Sequence, residues 1–357
     1  MLKTTNKEYV FNVIQYIKFE AIKKGYTSPN LKPLFKYKLE MQKYKLDTLG
    51  QVGKLEINPP RKTNIDSYKN RAKAKAISNE MALKLVDCNS PLKQGYFNTY
   101  YCSSTILQDG NKAKAHYCKY RWCLVCNRIR TANLIKGYLT PINQLPNLKF
   151  ITLTVVSVTH RELKTTIEDM QDTFNKIVDV LRKTHKIKLK GIRKIECNYN
   201  LTANTYNPHF HCLLSLTEHE AKLLVKLWMD RHPTNDIKAQ DIRTADVNTL
   251  PEMFKYFTKM LTKGKFYAEA QDKIFQAFKR KRTVQSYGIK KEVSEDIEDL
   301  IGQNIDFKDN QSEIWVWDKN VFDWISSQGE TWCDYTPSLT TTELINNIRK
   351  TKKLITL

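Results

Sequence analysis

An α+β fold is what this sequence predicts, and three stretches predict it. Phe150-Ile151-Thr152-Leu153-Thr154-Val155-Val156 is rich in β-branched residues and reads as a strand. Residues 191 to 216 read as two strands joined across a turn-rich segment from Asn200 to Pro208, which makes a hairpin. Thr166 to Thr184 gathers Ile167, Met170, Phe174, Ile177, Val178 and Leu181 on one side, the pattern of an amphipathic helix.

The 357 residues allow two or three domains with an ample core. Lys and Arg number 59 against 37 acids, a net charge of +22, which implies a polyanionic partner. The 18 Tyr, 14 Phe and 6 Trp add rings that can stack on bases, which favours nucleic acid over an acidic membrane surface. The longest apolar run, near Phe150 to Val158, is too short and too Thr-rich to span a bilayer. The N-terminus lacks a secretory apolar core with a small-residue cleavage site, so the expectation is a soluble, intracellular protein.

From the N-terminus, Tyr9, Phe11, Val13, Ile14, Ile17, Phe19 and Ile22 form an imperfect helical stripe. Asn58-Pro59-Pro60-Arg61 interrupts, and Tyr68 to Val86 reads as a second, basic helix, either a DNA-contacting arm or a solvated face. Cys102, Cys118, Cys123 and Cys126 follow, four of the eight cysteines within 25 residues. Cys123-x-x-Cys126 makes a tight knuckle, and Cys118 and Cys102 complete a tetrahedral set of four thiolates for one Zn²⁺. His116 is the substitute ligand if Cys102 is not used. A closed four-ligand shell leaves no place for a reactive water, so such a site is structural. Asn127 starts a helix that Thr140-Pro141 ends, and Arg121, Arg128 and Arg130 lie beside the knuckle in the sequence, where they can meet phosphates.

The chemistry concentrates in Asn207-Pro208-His209-Phe210-His211-Cys212. Side chains alternate along a strand, so His209 and His211 share one face and can grip one divalent ion. Folding the hairpin about its middle brings Glu196 roughly opposite His209, completing a mixed nitrogen and oxygen set suited to Mg²⁺ or Mn²⁺. Leu250-Pro251 opens a further helix in which Glu252, Tyr256 and Lys259 fall near one face. Lys279-Arg280-Lys281-Arg282 is again basic, Ser294 to Asp309 is an acidic linker or solvated helix, Trp315, Trp317, Trp324 and Trp332 mark a small C-terminal element, and Thr341 to Leu357 reads as a last basic helix.

In this order the pieces resemble the rolling-circle replication initiators of small bacterial plasmids, of the HUH endonuclease class with a single tyrosine. The resemblance runs from about Cys102 to about Glu292. It is carried by the cysteine cluster, by Phe150–Thr154, by Arg193–Asn200 with Asn207–His211, and by Glu252 to Tyr256 with Tyr256-Phe257-Thr258-Lys259. Leu124 and Ile129 depart from the usual knuckle, and Lys259 is not followed by an acid. The resemblance implies a central antiparallel sheet carrying the His strand, flanked by helices, with the tyrosine helix across it. The chain divides into a basic helical region 1–95, a zinc-binding segment 96–145, an endonuclease domain 146–293 and an extension 294–357, and the resemblance covers the middle two. Tyr256 is then the nucleophile that stays joined to a DNA 5′ end, Lys259 stabilises the phosphate, and Glu252 activates water for a terminating cleavage. The implied substrate is a single-stranded or hairpin replication origin, the implied partners are a host helicase and polymerase, and the implied compartment is the bacterial cytoplasm. A transposase or mobilisation relaxase shares this chemistry, and a non-catalytic zinc-containing DNA-binding regulator needs neither Tyr256 nor the His pair.

Overall fold

The computed structural model describes residues 64–109, 112–254, 266–292 and 313–350. In chain order among them, the elements are α1 (Asn64–Val86), α2 (Lys93–Tyr100), β1 (Thr105–Asp109), β2 (Lys112–Ala115), α3 (Leu124–Asn143), β3 (Leu148–Thr154) and α4 (Leu163–Lys183). There follow β4 (Gly191–Asn200), β5 (Thr205–Ser215), α5 (Glu218–Arg231), β6 (Asp241–Thr244), α6 (Thr249–Met253), α7 (Ala268–Ala277), β7 (Val284–Tyr287), β8 (Glu313–Asp318), β9 (Asp323–Ile325) and α8 (Leu339–Lys350). The architecture is α+β, with antiparallel pairing throughout both of its sheets. The expected N-terminal stripe over Tyr9–Ile22 and the acidic stretch Ser294–Asp309 lie outside the described residues.

The chain divides into two compact units. The first holds the sheet β2-β1-β8-β9. Its strands come from segments some 200 residues apart in sequence, Thr105↔Val316 being one pair of the register. The tryptophans explain the pairing. Trp324 is fully buried, donates Nε1–H to the Ser103 carbonyl at 2.7 Å, and meets Trp317 and Trp332 edge-on. Asp323, also fully buried, accepts from the backbone N–H groups of Trp324, Cys333 and Tyr335, which fixes the loop after β9. A buried carboxylate persists only when its oxygens are satisfied in this way.

The second unit is built on the sheet β6-β3-β5-β4-β7, with the His strand β5 at its centre. Gly191 opens β4 at φ 137°, where a Cβ would stand 2.1 Å from the Leu213 carbonyl oxygen. Only glycine allows that approach. Alternation divides the side chains between two faces. One face carries Phe210, Ile195 and Leu153 beneath α4 and α5, with Phe174 and Trp228 packed edge-on against Phe210. Arg193 is buried there between Phe174 and Phe210, its guanidinium 4.6 and 4.4 Å from the two rings, a desolvated cation held by aromatic faces. The other face carries Phe150, Ile192 and Leu213, packed with Tyr138 and Ile142 of α3 and with Leu250, Met253 and Phe254.

Two helix ends differ from expectation. α3 runs on to Asn143, past Thr140-Pro141. Pro141 has no N–H for the Gly137 carbonyl, but that carbonyl accepts from Glu292 N–H at 2.8 Å, so the helix continues with its lost bond replaced. α6 ends at Met253, with Phe254 as its C-cap, and residues 255–265 lie outside the described residues. The expected shared helix face of Glu252, Tyr256 and Lys259 therefore falls outside the described residues beyond Phe254.

Candidate metal centre and cysteine cluster

The first site grows directly from strand alternation. β4 and β5 pair antiparallel with Glu196 opposite His209 and Lys194 opposite His211, while β3 sets Thr152 opposite His211. Glu196, His209 and His211 thus share the face that packs α3 and α6. His209 Nε2 lies 3.6 Å and His211 Nε2 3.4 Å from Glu196 Oε2. His209 Nδ1 faces the Asn207 carbonyl at 3.0 Å. A carbonyl only accepts, so the proton sits on Nδ1 and the Nε2 lone pair points at the carboxylate. Thr152 Oγ1 lies 3.3 Å from His211 Nδ1 and orients the second ring. Burial lowers the affinity of both rings for a proton. His211 is pushed down to about 3 by desolvation first, then by the neighbouring His209, Lys194 and Arg243 charges. Two neutral imidazoles and one carboxylate, their ligand atoms within 4.8 Å of one another, fit a single divalent ion.

Two residues at this site escaped the sequence reading. Lys194 is buried, its ammonium 2.5 Å from Glu196 Oε1 and donating to the Met253 carbonyl at 2.8 Å. It ties the carboxylate to the end of α6, and burial brings its pKa down to about 7. The signal for it was present, since Lys194 is two residues from Glu196 and so shares its face. Arg243 of β6 donates to Glu252 Oε1 at 2.9 Å and lies over the Phe150 ring at 4.5 Å. Phe150 in turn packs against His211, with 5.2 Å between the rings. Nothing in the local sequence announces Arg243, because its partners come from β3 and α6. Glu252 is exposed beside this face. Tyr256 and Lys259 lie outside the described residues.

The second site is the cysteine cluster. Cys102, Cys118, Cys123 and Cys126 bring their four sulfurs within 4.8 Å of one another. Cys102 and Cys126 are 3.5 Å apart, and Cys118 and Cys126 3.7 Å. Backbone N–H groups of Cys118 and Lys119 point at the sulfurs of Cys102 and Cys126 at 3.3 and 3.2 Å. Such N–H···S contacts favour thiolates. Burial, the largest cause, pushes the Cys102 and Cys118 thiols well up, so four deprotonated sulfurs here require a cation among them. The fully buried Lys75 of α1 donates to the Tyr100 carbonyl at 2.6 Å, and the cluster's charge acts on it. The donor set therefore fits a metal ion, and Cys102 fills the place for which His116 was the substitute.

With these geometries in view, the comparisons with known proteins are informative. Residues 110–330 match the family described as Replication protein. The chain belongs to this family of replication proteins. Relatives called Protein rep accompany the match. One from Staphylococcus aureus is 29% identical over 199 residues, covering 51% of this chain and 82% of the relative. One from Streptococcus pneumoniae is 29% identical over 153 residues, covering 38% of this chain and 46% of the relative. One from Bacillus amyloliquefaciens is 33% identical over 106 residues, 28% of this chain and 31% of the relative. The chain thus spans less than half the length of the last two. No solved structure matches it. The family match includes β3 to β9 and most of the cysteine cluster, and it leaves α1, Lys75 and Cys102 outside. Membership agrees with the resemblance to plasmid rolling-circle replication initiators. Among the described residues, no helix of this replication protein is long and apolar enough to cross a membrane.

Proposed function

We propose that this replication protein initiates rolling-circle replication by nicking and rejoining single-stranded DNA at a plasmid origin, as an HUH endonuclease. The observation that carries the reading is the convergence of His209 Nε2 and His211 Nε2 on Glu196 Oε2, on the central strand of a five-stranded antiparallel sheet. A bound Mg²⁺ or Mn²⁺ would polarise the scissile phosphate and offset charge building on its oxygens. The chain's own residues do the rest. Asn207 and Thr152 orient the two rings, and Lys194 holds the carboxylate against the end of α6. Tyr256, two residues past the buried Phe254, attacks phosphorus through its oxygen and the P–O3′ bond breaks. The phenolic proton is lost, the departing oxygen gains one as a 3′ hydroxyl, and the 5′ end stays on the protein as a phosphotyrosine. Storing the bond in this ester makes the cut reversible. Lys259 stabilises the phosphate. The origin DNA is single-stranded or extruded as a hairpin, and a host helicase and polymerase carry replication onward in the bacterial cytoplasm. The test is a nicking assay on single-stranded origin DNA with and without Mn²⁺, resolved on a denaturing gel. A covalent protein–DNA species that needs the metal supports the reading, and an intact substrate in both lanes refutes it.

Glu252 is the proposed base for the terminating, hydrolytic cleavage. Its exposed carboxylate, steadied by Arg243 at 2.9 Å, is open to water. Glu252→Ala is expected to nick normally and to accumulate over-long single-stranded product in a plasmid replication assay. Normal termination would reduce Glu252 to an anchor for Arg243.

The cysteine cluster is proposed to hold one structural Zn²⁺. Cys123→Ser is expected to lose bound zinc and to melt far below wild type, because structural zinc supplies on the order of 10 kcal/mol in small domains. Elemental analysis finding no zinc in wild-type protein would end this assignment. A regulator without catalysis uses the cluster alone. It gains no support from the buried His209–His211–Glu196 set, which DNA binding does not require.

A further inference from the structure

Two turns of the second unit carry basic side chains that have no part in the chemistry above. The first is at Lys119, which is exposed and adopts a left-handed φ of 61°. Its N–H meets Cys126 Sγ at 3.2 Å and its carbonyl accepts from Arg130 Nη2 at 2.8 Å, so the turn is held from both sides. The second is Lys279–Arg282, which follows α7 and places Arg280 at φ 62°. A side chain in this region costs about 1–2 kcal/mol, and glycine is the usual residue at the end of a helix. Arginine at such a point keeps a cation on the tip of the turn despite the strain.

The two turns are fastened together. Arg121 Nη1 donates to the Lys281 carbonyl at 2.6 Å, and Gln171 of α4 donates to the Arg282 carbonyl at 2.9 Å. Lys281 pairs with Glu168, and Arg121 and Arg130 clasp backbone carbonyls. Arg121 and Arg130 thus each use one N–H to hold the turns. Lys119, Lys279, Arg280 and Arg282 are the exposed cations, Arg282 also donating to Gln285 Oε1 at 2.8 Å. The position is informative too. Thr283 accepts from Ile195 N–H at 2.9 Å, one step beyond the β4–β7 register, so the second turn stands at the Glu196 end of β4.

We propose that these two turns form one rigid ridge that grips the phosphate backbone of a duplex stem flanking the cleaved strand. The proposal rests on the function above for its choice of DNA as substrate. Duplex is favoured because the ridge is fixed in shape by backbone clasps, and because its neighbouring ring is engaged: Tyr120 stacks on Trp122 at 4.7 Å and 12°. Unpaired bases would need open rings to stack on.

The test uses the full chain carrying Lys279→Ala, Arg280→Gly and Arg282→Ala together, glycine being chosen to suit the left-handed backbone. Binding to a hairpin with its stem, and to a single-stranded oligonucleotide spanning the nick site, is measured across a salt series. Three lost phosphate contacts should lower the slope of log affinity against log salt by about 2.7 for the hairpin, at about 0.9 per contact. The single-stranded oligonucleotide should bind nearly as before. Lys119→Gly should remove about 0.9 more, which tests that both turns act on one stem. An unchanged hairpin slope in the folded triple variant, or equal losses on both ligands, overturns the proposal. The readout is binding alone, so a wild-type protein that fails to nick would refute the proposed function and leave this test intact.

Discussion

Replacing His209 or His211 with alanine is expected to abolish metal-dependent nicking and to weaken divalent-ion binding by roughly 100-fold or more, since loss of outer-shell partners alone costs about 10–100-fold. The fold should survive, because the face that carries the two rings also packs through Phe150, Ile192 and Leu213. Titration calorimetry with Mn²⁺ and the nicking assay check the two halves separately. Full activity in the double variant would refute the site. A pH dependence follows from the same burial. His211 keeps its ring neutral down to about 3 in the folded chain, against about 6.5 for an unperturbed imidazole. Below about 6.5 the unfolded chain takes up this proton and the folded chain does not, so stability is present above that pH and is lost as pH falls toward about 3. Metal-free protein should therefore melt at progressively lower temperature across this window, and His211→Ala should show a shallower acid slope. Parallel slopes would mean that the ring is protonated in the folded state.

Tyr256→Phe is expected to eliminate the covalent DNA adduct and to reduce nicking by orders of magnitude, on the order of 10⁶-fold if loss of a covalent nucleophile behaves as in other enzymes. The change removes one oxygen, so DNA affinity should persist. Two other tyrosines of the chain that could be suspected as nucleophile, Tyr287 and Tyr267, are poorly placed. Tyr287 lies against Phe174 at 5.8 Å between ring centres, with its hydroxyl buried and its pKa pushed up to about 12 by burial. Tyr267 lies tilted against Tyr199, with 6.0 Å between ring centres. By strand alternation Tyr199 and Tyr287 belong to the face opposite His209 and His211. Mass spectrometry of the nucleotide-bearing peptide identifies the attacking residue. Attachment to Tyr267 or Tyr287, or an undiminished adduct in Tyr256→Phe, would overturn the assignment.

What the residues alone determined was what local geometry controls. Alternation along one strand put His209 and His211 on one face, and a tight hairpin can only pair neighbours, so Glu196 opposite His209 was readable from the spacing. The cysteine spacing likewise marked out a compact four-sulfur set. Tertiary structure decided whatever joins distant segments. The pairing of β1 with β8 depends on the buried Trp324, which reaches back some 220 residues to the Ser103 carbonyl just before β1, and no local pattern encodes that partner. α3 outran Pro141 because Glu292, some 150 residues on, satisfies the carbonyl that proline leaves open. Lys75 beside the sulfurs, Lys194 on Met253 and Arg121 on Lys281 are contacts of the same kind. Each fills the needs of a polar group that only the packed chain takes out of water, so each partner is set by what the fold brings within hydrogen-bond reach.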